Sequence, residues 1–106
     1  MEKLSRKDMI LHMLEKEPND VFLNYALAME QIATFDFIDA DKQLKKVLSI
    51  SPSYLPCFYQ LGQVNEKLNN VEIALDYYKQ GVMIATSQNN TKALGELNEA
   101  IWLLED

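Results

Sequence analysis

Cysteine is nearly absent from this chain. The single Cys57 rules out an intrachain disulfide and fits a reducing compartment. Glycine and proline are scarce, three of each, too few for the many tight turns of an all-β fold. Positive charge is in deficit: ten Lys and Arg stand against sixteen Asp and Glu, a net charge of −6. The densest basic group, Lys42, Lys45 and Lys46, is flanked by acids. Nucleic acid and anionic membranes recruit basic patches, so neither is an expected partner. Long apolar runs are also missing. None approaches the roughly 18 residues of a spanning helix, and no basic start leads into an apolar leader. A cytoplasmic chain is expected.

What the chain does have is apolar content and regular punctuation. Nearly half of its 106 residues are apolar, enough for the core of one small domain. Ser5 and Asp8 stand at capping-box-like spacing before Met9, Ile10, Met13 and Leu14, which recur at helical intervals. Pro18-Asn19 ends that first helix. A second runs to Thr34, a third from Asp36 to Ile50, and Ser51-Pro52-Ser53 breaks the chain again. A fourth helix covers 54–68, Asn69-Asn70 is a turn, and a fifth runs from Val71 to about Ala85. After a polar stretch, a last helix ends near Leu104. Six helices with short connections predict antiparallel neighbours.

The breaks repeat. Pro18 and Pro52 lie 34 residues apart, as do Asn19 and Ser53, and Asp36 and Asn70. All four polar residues are candidate N-caps. Tyr25 and Tyr59, Leu27 and Leu61, Ala40 and Ala74, and Ile50 and Ile84 share that offset. Punctuation and packing positions recur while the remainder has diverged, which marks a structural repeat.

On these residues the chain resembles the tetratricopeptide repeat family. Its 34-residue pattern is W-x2-L-G-x2-Y, then A-x3-F, then P. The first copy reads Asn24-x2-Leu27-Ala28-x2-Gln31, then Ala40-x3-Leu44, then Pro52. The second reads Phe58-x2-Leu61-Gly62-x2-Asn65, then Ala74-x3-Tyr78, with Thr86 in the proline position. Asn24, Gln31 and Asn65 depart from the aromatic positions of the pattern. Small residues at 28, 40, 62 and 74 allow close helix approach, and Leu27, Leu61, Leu44 and Tyr78 fill the space between. Gly62 within a helix costs about 1 kcal/mol against Ala, which tight packing offsets.

The resemblance implies an all-α, right-handed superhelical array of helix-turn-helix repeats in one domain. It assigns 5–17 as an N-terminal half-repeat helix, 20–52 and 54–86 as two full repeats, and 90–105 as a capping helix. It also implies a protein- or peptide-binding module with a short concave groove lined by the first helix of each repeat. The first copy would contribute Phe22, Tyr25, Met29, Ile32 and Ala33. The second would contribute Pro56, Tyr59, Gln60, Gln63, Glu66 and Lys67. The competing reading buries Phe22, Tyr25 and Tyr59 against neighbouring hairpins. Relatives that clamp a C-terminal carboxylate use Lys, Asn and Arg on these faces. Here the corresponding places hold Tyr25, Met29, Gln60, Asn90 and Leu94, so no cationic clamp is expected.

No catalytic, cofactor or metal constellation is legible, and no enzyme is expected. His12 is the only histidine and lacks a second ligand or a nucleophile motif. Cys57 reads as a small buried hydrophobe. Asp36 to Asp41 lacks the ligand spacing and central glycine of a calcium loop. Trp102 falls off the apolar stripe of the last helix, near Gly95, Asn98 and Glu99. It either marks a partner or homodimer surface or folds over the preceding hairpin.

Overall fold

The computed structural model describes residues 4–105. Among them are six helices and no strand: α1 (Arg6–Lys16), α2 (Val21–Ala33), α3 (Phe37–Ile50), α4 (Pro56–Lys67), α5 (Val71–Ser87) and α6 (Thr91–Glu105). The all-α architecture of helical hairpins is the expected one. The chain divides into two compact units, with the boundary between Pro52 and Ser53.

In the first unit α2 packs against both α1 and α3. Ile10 and the half-buried Leu14 of α1 meet Ala26 and Leu27 of α2. Ala28, Ala40, Leu44 and Val47 are fully buried. Ser5 caps α1 as expected, its hydroxyl accepting from the Asp8 amide at 3.1 Å. The cap of α2 is Asp20 rather than Asn19. Its carboxylate accepts from the Leu23 amide at 2.8 Å, because the Glu17–Asp20 turn delays the helix start by one residue.

Asn24, in the aromatic position of the repeat pattern, is buried and satisfied. Its amide donates to the carbonyls of Pro18 at 3.0 Å and Asp20 at 2.8 Å, and its oxygen accepts from Gln43 at 2.7 Å. A polar clamp between α3 and the turn before α2 thus replaces a bulky ring. Buried amides are tolerated when fully bonded in this way.

In the second unit α5 packs against both α4 and α6. Its core joins Leu55, Ala74, Tyr78, Ala85 and Leu97. Helix α4 does not begin at a Ser53 cap. Leu55 holds the N-cap position, Pro56 follows at the first helical position, and the Cys57 and Phe58 amides bond the Tyr54 and Leu55 carbonyls at 3.1 Å. Proline suits that position because no amide is needed there. Helix α5 continues beyond Ala85 to Ser87. Thr86 stands where the first repeat has Pro52, so nothing stops the helix, and its hydroxyl bonds the Val82 carbonyl at 2.7 Å.

The hairpin turns reproduce the repeat in their hydrogen bonds. Phe35 and Asn69 both adopt left-handed backbone, with φ of 63° and 62°. The following amides, of Asp36 and Asn70, close onto the Gln31 and Asn65 carbonyls at 2.8 Å. This closure satisfies the carbonyls at the ends of α2 and α4. Asp36 and Asn70 occupy N-cap positions, but neither side chain caps its helix. The Asp36 carboxylate instead accepts from the Thr34 hydroxyl at 2.7 Å, and the Asn70 amide leans toward Asn65 at 3.4 Å.

Gly62 is explained by Tyr78. A methyl group at position 62 would overlap the Tyr78 ring. The first repeat solves the same packing with Ala28 and Leu44, both fully buried. Gly62→Ala gains about 1 kcal/mol of helix propensity but loses roughly 1–3 kcal/mol to overpacking, so net destabilisation is expected in urea titration. Gly62→Ala with Tyr78→Leu recreates the pair of the first hairpin. Its cost should fall below the sum of the two single costs by about 1 kcal/mol or more. Strict additivity would refute the ring as the reason for the glycine.

Candidate functional site

The expected site residues fall on two helices, one in each unit. On α2, Phe22, Tyr25, Met29 and Ile32 recur at helical spacing on one face. Phe22 is 69% exposed, so it is not buried against a neighbour. Tyr25, Met29 and Ile32 are half-buried. On α4, Tyr59, Gln60, Gln63 and Glu66 are likewise half-buried. The α4 residues gain a context that the sequence did not announce. Tyr59, Gln63 and Glu66 line a cavity of about 430 Å³ shared with α6.

The opposite wall of that cavity comes from α6. Glu96, Glu99 and Leu103 supply it at spacings of three and four residues, with Ala100 and Leu104 beside them. By sequence α6 is a cap with Trp102 as its candidate surface, because its strongest stripe is Ala93, Leu94, Leu97, Ala100, Ile101 and Leu104. That stripe does cover the core of the second unit. A second face, with Glu96, Glu99 and Leu103 in register, was the available signal. Trp102 lies outside the cavity and is 71% exposed, so it does not fold over the hairpin.

The α4 wall is fixed from beneath by Tyr78. This tyrosine is fully buried. Its hydroxyl donates to the Glu66 carboxylate and accepts from the Gln63 amide at 2.7 Å. Burial, and then the bond to Glu66, hold the phenol well above its ordinary pKa, so it stays a donor. The Tyr59 ring sits 6.0 Å from the Tyr78 ring, tilted by 50°. The repeat pattern alone assigns Tyr78 a packing role. The clue was its hydroxyl, present where the first repeat carries Leu44.

Other candidates resolve simply. His12 is exposed on α1, its Nδ1 4.0 Å from the Glu15 carboxylate. Cys57 is fully buried, and burial pushes its thiol up to about 12. A protonated, enclosed thiol is a poor nucleophile. Among the described residues, no group of three or more His, Cys, Asp or Glu is placed to hold a metal ion. No helix among them is long and apolar enough to cross a membrane.

Known proteins share this helical-repeat fold. A family model described as tetratricopeptide repeat matches residues 55–88. A tetratricopeptide repeat domain protein from Salinibacter ruber, solved in solution, is 32% identical with a TM-score of 0.78, covering 83% of this chain and 89% of that one. A crystal structure of a Salinibacter ruber tetratricopeptide repeat domain protein gives 31% identity and 0.76, covering 81% and 97%. The TPR2B domain of yeast Sti1, solved as a complex with pHsp70, shares the fold at a TM-score of 0.86 with 13% identity, covering 93% and 79%. No curated protein matches the chain by sequence.

The buried thiol predicts an alkaline limit to stability. In the unfolded chain it ionises near its ordinary 9.0, whereas the folded chain keeps the proton until about 12. The unfolded state therefore loses a proton first, and stability falls as pH rises from about 9 toward 12. The slope from this group approaches about 1.4 kcal/mol per pH unit. Urea midpoints measured at pH 8, 9 and 10 should fall, and should fall less steeply in Cys57→Ala.

Proposed function

Because the chain belongs to the tetratricopeptide repeat family, whose domains are generally protein–protein interaction modules, we propose that it is an adaptor. It holds a polypeptide segment of a partner against the open faces of its first helices. Phe22, Tyr25, Met29 and Ile32 form the α2 strip. Tyr59, Gln60, Gln63 and Glu66 form the α4 strip. The observation that carries this reading is the α4 strip. Its Gln63 and Glu66 side chains are held from below by a buried tyrosine while a cavity stays open above them. Side chains already ordered before binding lose less entropy on binding.

Two further facts support the reading. Aromatic residues and Met concentrate at protein interfaces, and the α2 strip carries Phe22, Tyr25 and Met29. A domain of this fold is solved in complex with pHsp70, so the fold accommodates such a ligand. The lining argues for a different recognition chemistry from carboxylate clamping, since Tyr25, Met29, Gln60, Asn90 and Leu94 offer no cation. His12 is exposed beside Glu15 and Cys57 is a buried, protonated thiol, so the two do not form a nucleophile dyad. Tyr25→Ala with Tyr59→Ala should abolish capture of the partner in an affinity pull-down read by mass spectrometry. Far-UV circular dichroism should show unchanged helical content. Recovery of the same partner by the double variant would refute the assignment.

A second reading rests on Trp102, whose exposure of 71% leaves a large aromatic face open on α6. Self-association through that face predicts a dimer at high concentration in light scattering, lost in Trp102→Ala. A concentration-independent monomer refutes it.

A further inference from the structure

The cavity between α4 and α6 has a composition that selects its occupant. Three carboxylates, Glu66, Glu96 and Glu99, stand around it. Among the described residues none of the three forms an ion pair. Glu66 is instead anchored by the Tyr78 hydroxyl. Tyr59, Ala100, Leu103 and Leu104 line the same cavity. Among the described residues, no cation satisfies the acids.

A metal ion does not suit the site. It requires oxygen ligands converging within about 2–2.6 Å, and these carboxylates form no such group. A purely apolar side chain would bury the tyrosine and leucines but make no use of the carboxylates, of which Glu96 and Glu99 are exposed and Glu66 is half-buried. A long cationic side chain meets both demands. Lys and Arg bury their alkyl stems on apolar surface and keep the charged head among polar groups. An aromatic wall adds cation–π attraction. The cavity, about 430 Å³, is ample for one such side chain and part of the backbone that carries it.

We propose that this cavity receives a lysine or arginine side chain of the bound polypeptide, so that the partner segment is basic. The proposal rests on the polypeptide-binding reading above and gives it a charge. The overall balance of −6 favours the same class of partner, since complementary fields raise encounter rates. A second copy of this acidic chain is correspondingly disfavoured as occupant.

The test is selection from a displayed library of random peptides on the whole chain, followed by affinity measurement on the enriched sequences. Enriched peptides should carry an excess of Lys and Arg over the starting library. They should bind Glu96→Gln/Glu99→Gln about fivefold to tenfold more weakly, with a reduced dependence on salt. Both substitutions are near-isosteric and remove like charges, so the fold is retained, as circular dichroism will verify. Glu72→Gln/Asp76→Asn makes the same charge change on α5 outside the cavity and should bind as the parent does. Equal loss in that control would reduce the effect to bulk charge and overturn the proposal. Enrichment without basic excess, or unchanged affinity in Glu96→Gln/Glu99→Gln, overturns the cavity's role. If Phe22→Ala/Tyr25→Ala, both on α2 and outside the cavity, still abolishes such binding, the broader reading survives. No enrichment above background overturns both. Tight binding of spermidine alone, lost in Glu96→Gln/Glu99→Gln, would identify a small polyamine as occupant and overturn the polypeptide assignment.

Discussion

The ring of Tyr78 occupies the space that any side chain at position 62 would need, and much of the second unit follows from that exclusion. The ring fills the interior of the α4–α5 hairpin, where it is fully buried. Burying an aromatic side chain is among the largest single contributions a small core can receive. The hydroxyl then has to find partners, because an unmet buried donor costs about 1–3 kcal/mol. It finds them in Glu66 and Gln63, which are also the polar wall of the α4–α6 cavity. One residue thus joins core and surface. The corresponding pair in the first unit, Ala28 and Leu44, fills its space with aliphatic side chains alone.

The sequence made the fold legible through features set by local sterics. Small residues at 28, 40, 62 and 74 can be read without coordinates, because close helix approach has few other solutions. Helix ends were less legible. Asn19 and Ser53 were plausible caps by residue type, yet Asp20 and the Leu55-Pro56 step start the helices. Residue type gives the capacity to cap, but the path of the preceding turn decides which side chain reaches the amide. The left-handed Phe35 was invisible for a similar reason. Its position is set by the end of α2, and a bulky aromatic is not the residue such a turn favours.

The candidate site was legible only by halves. Helical spacing and family resemblance singled out Tyr59, Gln63 and Glu66, and these do come together. Glu96, Glu99 and Leu103 escaped because α6 carries two useful faces. The stronger apolar stripe, which seals the core, masked the weaker mixed one. Which of several acids shares a cavity depends on how α6 packs onto α5, and no local pattern encodes that. The two strips also differ in kind. That of α2 is aromatic and apolar, whereas that of α4 is amide and carboxylate over an aromatic base. A ligand that met both would need two distinct recognition elements along its length.

Gly62 has a further consequence for how this unit comes apart. Glycine, together with the asparagine at position 65, makes α4 a weak helix in isolation. Its order depends on the α5 tyrosine that rests on it, and the tyrosine in turn depends on α4 for its hydrogen bonds. Neither helix can therefore fray far alone. The hairpin is the smallest element that opens, and amide exchange along α4 and α5 would be correlated. A polypeptide seated against α4, as proposed, would raise the opening free energy of both helices together. Binding at the surface would then be felt as rigidity in the interior of the hairpin.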